Sequence, residues 1–243
     1  MHITTLHPDL RKNLRDLVQG YVEHCEFSPH LTGRIDFPIY YMGFKYGAPV
    51  FTHTGPGKTT DDRPVVGMIG LNTPQSQVPS QVLLQFVEIL TQHPRLADTS
   101  VLRMLPVANP VALELDEDAP SREDWDTLGL LVDQFKEQAA DGWIEIQSAD
   151  VKEFTLAGEI SPALYKTLEK ARETATARVR NNVKFPGLLQ VQPVRKDERW
   201  QLRLIIPSDW SDSRSVNAVA RFLARVVHSQ ARIARRQQRI VRR

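Results

Sequence analysis

Val65-Val66-Gly67-Met68-Ile69-Gly70 is a short run without a single polar or charged side chain. Such a run is typical of a strand that is buried on both faces, as in the interior of a mainly parallel sheet. The residues after it have helical spacing, with an apolar face made up of Val82, Leu83, Phe86, Val87 and Leu90. Val101 to Val107 supplies another buried strand, so the order strand, helix, strand predicts a βαβ unit with parallel strands.

The same alternation of patterns extends towards both ends of the chain. On the N-terminal side it predicts a helix over about 8–22 and two strands, Phe37 to Tyr41 and Ala48 to His53, joined around Gly43 to Gly47. On the C-terminal side it first predicts a helix marked by Leu128, Leu131, Val132 and Phe135, and then a strand at Trp143 to Ile146. A long charged helix from Pro162 to Arg180, a strand at Leu202 to Ile206 and a last helix from Val216 follow. We therefore expect an α/β fold, a three-layer sandwich in which a mixed, mainly parallel twisted sheet carries helices on both faces.

Composition bears on the domain organisation and on the compartment. The chain has 243 residues, of which 41% are hydrophobic, and this is enough for one large core, so we expect a single domain over 1–243. Cys25 is the only cysteine, which excludes an internal disulfide and fits a reducing compartment. The N-terminal residues lack the apolar run of a secretion signal, and no apolar stretch of about 18 residues follows. We expect a cytoplasmic protein without a transmembrane segment.

Leu105-Pro106-Val107-Ala108-Asn109-Pro110 is the most specific motif of the chain, a strand end that leads into an Asn-Pro turn. In this motif, within residues 101–120, and in the segments 64–90 and 143–169, the sequence resembles the zinc carboxypeptidases and their deacylase relatives, the succinylglutamate desuccinylases and aspartoacylases. The resemblance implies the carboxypeptidase fold. It also implies that the Asn-Pro turn lies beside the position of the family's active site.

The family's metal ligands are replaced in this sequence. By the resemblance, Leu71 and Pro74 stand where a histidine and a glutamate ligand belong, and Gln147 stands where the second histidine belongs. Glu117 stands where the family has the arginine that grips the terminal carboxylate of the substrate. A catalytic zinc needs two or three nitrogen or oxygen ligands from the protein and an open position for the activated water. The resemblance therefore implies a pseudoenzyme with a binding or scaffolding role, for which no cofactor is expected.

An alternative interpretation keeps the chemistry. The chain is then a zinc-dependent carboxypeptidase or N-acyl amino acid deacylase with ligands at other positions, and zinc is its cofactor only in that case. The seven histidines show neither His-x-x-Glu nor His-x-x-x-His spacing, which is the usual pattern of a zinc site on a helix. We expect most of them at the surface.

The positions aligned with the former active site form a candidate cleft, which comprises Asn72, Asn109, Asp116, Glu117, Glu145 and Gln147. Its carboxylates would repel a carboxylate and favour an amine, a cation or a basic peptide, so the expected partner is a small molecule or a peptide of that kind. A purely structural explanation of these positions is also open. Leu71 is then a core residue of a buried strand, and the acidic group around Glu117 is a solvated loop.

The C-terminal tail, about 221–243, is strongly basic. It contains eight arginines and neither an acidic residue nor a lysine, and subtracting these eight charges from the total of +2 leaves −6 for residues 1–220. Arginines recur at intervals of three and four residues beside apolar ones, which predicts an amphipathic helix. Its candidate polyanion-binding residues are Arg232, Arg235, Arg236 and Arg239. An acidic protein surface, nucleic acid or an anionic membrane is the expected partner, and a solvated extension of the last helix is the alternative.

Overall fold

The computed structural model describes residues 12–41, 44–57, 63–72, 76–110, 131–162, 164–166, 168, 188–193 and 199–241. In chain order the elements are α1 (Lys12–Phe27), β1 (Leu31–Tyr41), β2 (Phe44–Thr54), β3 (Val65–Leu71), α2 (Val78–Gln92), a 3₁₀ helix (Pro94–Ala97), β4 (Val101–Leu105), α3 (131–137), β5 (Gly142–Ala149), β6 (Thr155–Ile160), α4 (the helical residues between 162 and 168), β7 (Leu188–Pro193), β8 (Trp200–Pro207) and α5 (Ser213–Val241).

The eight strands form one sheet in the order β1-β2-β4-β3-β5-β8-β6-β7. Its centre is parallel, because β3 pairs in parallel with β4 and β5, and β5 pairs in parallel with β8. The β1–β2 hairpin joins one side through the antiparallel pair β2–β4, and β6 joins the other through the antiparallel pair β6–β8. The sheet is therefore mixed, with parallel pairing in four of its seven strand pairs. The predicted βαβ unit is β3, α2 and β4.

Helices cover both faces of the sheet, as expected from the sequence. On one face, Val66 and Met68 of β3 belong to a large buried cluster that also contains residues of α1, α2, α4 and α5. On the other face, Ile69 of β3 packs in a smaller cluster with Leu131 and Phe135 of α3. Successive residues of a strand point to opposite faces, so a continuous apolar run such as β3 supplies both clusters.

Tyr21 connects three elements of the larger cluster. Its ring stacks on Phe51 of β2 with 4.9 Å between the ring centroids, and its hydroxyl donates to the carbonyl oxygen of Ser80 in α2 at 2.5 Å. The side chain is fully buried, and burial raises the pKa of its hydroxyl well above the usual value. Because a buried hydroxyl needs a partner, this hydrogen bond fixes the relative positions of α1 and α2 on the sheet.

Some boundaries differ from the predicted ones. The β1–β2 hairpin is tighter than expected, because β2 begins at Phe44 and therefore includes Gly47. The first helix continues to Phe27, and the last one begins at Ser213. Asp212 ends the preceding loop there, because its carboxylate accepts hydrogen bonds from the backbone nitrogens of Arg214 and Ser215, at 2.9 and 3.0 Å. These bonds are typical of a helix N-cap.

β6 and β7 were not predicted from the sequence. They form a parallel pair at the edge of the sheet, and β6 contains a glycine and a glutamate. The long charged helix expected from Pro162 is observed at the described residues between 162 and 168, and the rest of the prediction lies outside the described residues. None of the helices, over the residues that the structure describes, is apolar and long enough to span a membrane.

Candidate functional site

Leu71 and Gln147 are direct neighbours across the β3–β5 strand pair. The backbone of the Asn-Pro turn lies beside them, because the nitrogen of Ala108 donates to the carbonyl oxygen of Gly70 at 3.1 Å. The carboxyl ends of β3, β4 and β5 thus meet at one edge of the sheet. Ligand sites of α/β sheets lie outside the carboxyl ends of parallel strands, so this edge is the candidate site.

Asn72 is held in a hydrogen-bond network at this edge. Its side-chain nitrogen donates to the carbonyl oxygen of Pro106 at 2.9 Å and to the hydroxyl of Ser80, and its side-chain oxygen accepts from the backbone nitrogen of Ser80 at 3.1 Å. The hydroxyl of Ser80 also donates to Pro106 at 2.6 Å. Asn72 and Ser80 are both buried. Since the amide of Asn72 already has these partners, its observed role is to join the end of β3 to α2 and to the turn after β4.

Glu145 lies on β5 two residues before Gln147, and its carboxylate is compensated by two cations. One oxygen is 2.6 Å from Nζ of Lys136, and the other accepts from Nε of Arg203 at 2.9 Å. Burial by itself would raise the pKa of Glu145, but the hydrogen bonds from Lys136 and Arg203 outweigh it and lower the pKa below the usual value. Lys136 also lies over the ring of Trp143, 5.4 Å from its centroid. Glu145 therefore adds no uncompensated negative charge to the candidate cleft.

The residues at this edge do not fit a catalytic zinc. Leu71 offers no donor atom, the amide of Gln147 is neutral, and the amide of Asn72 is engaged with Ser80 and Pro106. Zinc sites are built from imidazole, thiolate and carboxylate groups. Among the residues that the structure describes, no three side chains of these types come close enough together to hold a metal ion.

The remaining residues of the predicted sites are placed as follows. Asn109 is buried in the turn after β4, and Gln147 is half-buried. Pro74, Asp116 and Glu117 lie outside the described residues. Arg232 is exposed on α5. Arg235, Arg236 and Arg239 occupy helical positions of α5, of which the structure describes the backbone only.

His53 is a buried titratable residue that the sequence reasoning missed. It lies on β2 and is completely buried, so it is an exception to the expectation that most histidines lie at the surface. Neither ring nitrogen has a hydrogen-bond partner among the described residues. Burial, followed by the nearby His30, lowers the pKa of His53 to about 4, and the two ring centroids are 6.1 Å apart. The alternation Phe51, Thr52, His53 was an available signal, because it places His53 on the same face as the buried Phe51.

The sheet order, the helices on both faces and the Asn-Pro turn define a carboxypeptidase-like α/β fold, and comparison with solved structures agrees. A metallo-carboxypeptidase from Burkholderia cenocepacia aligns with a TM-score of 0.59 at 14% identity, covering 89% of this chain and 68% of that one. A metallo-carboxypeptidase from Pseudomonas aeruginosa, in complex with (2-guanidinoethylmercapto)succinic acid, gives 0.57 at 14% identity, with 92% and 69% covered. A succinylglutamate desuccinylase/aspartoacylase from Rhodobacter sphaeroides gives 0.53 at 14% identity, with 81% and 64% covered.

At these identities the likeness shows the fold, and it confirms the resemblance inferred from the sequence at that level. No protein-family model matches the chain, and no curated protein matches its sequence.

Proposed function

We propose that this chain is a non-catalytic protein of carboxypeptidase-like fold that uses the carboxyl edge of its sheet to bind a ligand. The observation that carries the proposal is the pairing of Leu71 with Gln147. These two positions correspond to histidine ligands in the family that the sequence resembles, and they are neighbours here as two ligands of one metal would be. The backbone frame is therefore kept, whereas the donor atoms that would activate a water molecule are replaced.

The expected ligand is an amine-bearing small molecule or a basic peptide. The arginine that grips a carboxylate in the family is replaced by Glu117, next to Asp116. Because Glu145 is compensated by Lys136 and Arg203, the preference for a cation rests on these two acidic residues. The amide of Gln147, half-buried at the end of β5, would supply an uncharged hydrogen-bonding group.

The first test is zinc binding. We expect the purified, untagged chain, dialysed against about equimolar zinc, to retain almost no zinc in elemental analysis, because the edge lacks donor groups. Gln147→Ala should give the same result as the wild type. A triple variant with Leu71→His, Pro74→Glu and Gln147→His should acquire about one zinc per chain, since it restores a donor at each aligned ligand position.

Stoichiometric zinc in both the wild type and Gln147→Ala would contradict the proposal. It would favour the alternative, a hydrolase with ligands at other positions, and assays with peptides and N-acyl amino acids would then identify its substrate. Failure of the triple variant to bind zinc, while it remains folded by circular dichroism, would show that the edge does not have the geometry that the proposal assumes.

The second test concerns the charge of the ligand. A lysine-containing dipeptide with an amidated C-terminus should bind the wild type more tightly than the same dipeptide with a free carboxylate, as measured by calorimetry. Glu117→Arg should reverse this preference, because it restores the charge that attracts a carboxylate. An unchanged preference in Glu117→Arg would exclude the assigned role of Glu117.

A further inference from the structure

α5 carries its arginines on one side. The helix has 29 residues, and seven of them are arginine, with no lysine, aspartate or glutamate among them. At 100° per residue, these positions fall within an arc of about 100° of the helix circumference. We call this set the arginine stripe, and its members are Arg214, Arg221, Arg225, Arg232, Arg235, Arg236 and Arg239.

The opposite side of α5 is already used by the protein core. Phe222, Leu223 and Val226 are buried in the larger cluster, whereas Arg214, Arg221 and Arg232 are exposed. Helices that bind membranes insert their apolar face between lipids. Because the apolar face of α5 is occupied and its exposed positions from Ser213 to Arg232 hold no large apolar residue, insertion of α5 into a membrane would require it to leave the core.

The two elements that pack most extensively against α5 contain few acidic residues. α2, which makes the most extensive contacts with α5, contains Glu88 as its only charged residue. The 3₁₀ helix, which also packs against α5, contains Arg95, and Asp98 follows it. Among the stripe residues whose side chains are described, Arg214, Arg221 and Arg232 are exposed, so their positive charge is directed into solvent.

We propose that the arginine stripe of α5 binds the phosphate backbone of a nucleic acid duplex without reading its sequence. The helix is about 43 Å long at 1.5 Å per residue. Along its axis, the arginines from Arg221 onwards are on average about 5 Å apart. A duplex presents about one phosphate charge for each 1.7 Å of its axis, so a straight helix of this length finds several phosphates within reach. Arginine suits this role because its guanidinium matches the geometry of phosphate oxygens.

The charge of the remaining chain orients the complex. Residues 1–220, which include Arg214 of the stripe, carry a net charge of −6, so a polyanion is attracted to the chain mainly by the arginines from Arg221 onwards. Phosphate contacts position a protein on a duplex but carry no sequence information, so a stripe that works through such contacts binds without reading the bases.

The experiment uses the full chain and a fluorescein-labelled DNA duplex of 30 base pairs and mixed sequence. We expect binding by fluorescence anisotropy with a Kd of about 1 μM in 50 mM KCl, weakening steeply as salt is added. The stripe variant combines Arg221→Gln, Arg232→Gln, Arg235→Gln and Arg239→Gln, and it should bind at least about 30-fold more weakly. The slope of log Kd against log salt should fall by about 3.6, because each of the four lost phosphate contacts removes about 0.9 from it.

The matched control removes four positive charges away from the stripe, through Arg34→Gln, Lys152→Gln, Lys166→Gln and Arg199→Gln, all at exposed positions. It has the same net charge as the stripe variant, and its Kd should stay within about threefold of the wild type if local contacts rather than net charge drive binding. Both variants are checked for an unchanged melting temperature.

Three results would overturn the proposal. The first is no duplex binding by the wild type in 50 mM KCl, and the second is an equal loss in the stripe variant and the control. The third is tighter binding to vesicles of phosphatidylserine, or to a second copy in light scattering, than to the duplex.

Discussion

At the scale of single residues, His53 is where burial and protonation are in conflict. Its imidazole is fully buried and has no hydrogen-bond partner among the described residues, so the charged form is disfavoured in the folded state. The pKa of His53 is about 4 in the folded protein against a usual value of 6.5. Between these two values the unfolded chain binds the proton and the folded chain does not. The free energy of unfolding therefore falls as the pH is lowered from about 6.5 to 4.

We expect the His53→Leu variant to be less sensitive to acid than the wild type. For the pKa values above, this histidine costs about 2 kcal/mol of stability at pH 5 relative to pH 7.5. Urea unfolding at the two pH values measures the difference for each protein. The wild type should lose about 2 kcal/mol more than His53→Leu.

The control for this prediction is His228→Leu, because His228 is an exposed histidine on α5. It should lose as much stability between the two pH values as the wild type. An equal loss in His53→Leu and the wild type would mean that His53 is either hydrated or paired in solution.

At the scale of elements, the carboxyl ends of β3 and β4 approach each other unusually closely at Gly70. A Cβ atom on Gly70 would lie 2.3 Å from the carbonyl oxygen of Pro106. That oxygen is also the acceptor for Asn72 and Ser80, so it cannot move aside without breaking their hydrogen bonds. The strand ends that form the candidate site can therefore adopt this arrangement only with glycine at position 70.

Gly70→Ala should lower the free energy of unfolding by about 2–3 kcal/mol in urea denaturation, because the new methyl group meets rigid backbone. Gly20→Ala in α1 is the matched substitution. Its Cβ would lie 2.9 Å from the end of the Leu84 side chain, which can rotate, and alanine gains about 1 kcal/mol over glycine within a helix. The free energy of unfolding of Gly20→Ala should stay within about 1 kcal/mol of the wild-type value. Equal effects of the two substitutions would contradict the close approach at Gly70.

Strands with several apolar residues close together were predictable, and those with weaker patterns were not. β3 is apolar throughout, and β4, β5 and β8 have apolar residues on both sides of a charged one, at Arg103, Glu145 and Arg203, so their hydrophobicity marks them in the sequence. β6 pairs with β8 in the antiparallel direction and with the edge strand β7 in the parallel direction. Only two of its six residues are buried, and this weak pattern also fits a loop. β7 is an edge strand that contains two glutamines and ends at Pro193. Edge strands have one neighbour and need less hydrophobicity.

The candidate site shows the same division. The neighbouring positions of Leu71 and Gln147 were expected from the resemblance, because both follow from the alignment of whole strands. The ion pairs of Glu145 were not, since they depend on α3 placing Lys136 against β5 and on β8 placing Arg203 beside it. Contacts between elements that are far apart in the chain leave no periodic signal in the sequence.

At the scale of the whole molecule, α5 contributes to the core along its described side chains, which extend to Ile233. Ala231 is the last buried residue described in α5, and its carbonyl oxygen accepts from the hydroxyl of Thr99 at 3.2 Å. Ile233 packs against the core and is half-buried. The side chains described between Ser213 and Ile233 therefore help to complete the larger cluster.

A chain ending at Ile233 should melt within about 3 °C of the full chain, because the observed contacts of α5 with the core are retained. A chain ending at Arg221 should fail to give a cooperative transition, since it lacks Phe222, Leu223 and the other buried residues that follow. Thermal unfolding followed by circular dichroism measures both. A large loss of stability in the longer chain would place residues beyond Ile233 within the core.

The order of strands has a consequence for how this protein is made on the ribosome. β5 and β6 follow each other in the chain, yet they are not paired, because β8 lies between them. The 47 residues from Ser161 to Pro207 take roughly 2–9 s to synthesise at typical rates of translation. During that time β5 and β6 each present an open edge to the nascent chain and to its neighbours. A strand made late thus closes the sheet between two strands made early, and a stalled chain that ends before Trp200 holds two sheet fragments with nothing to join them.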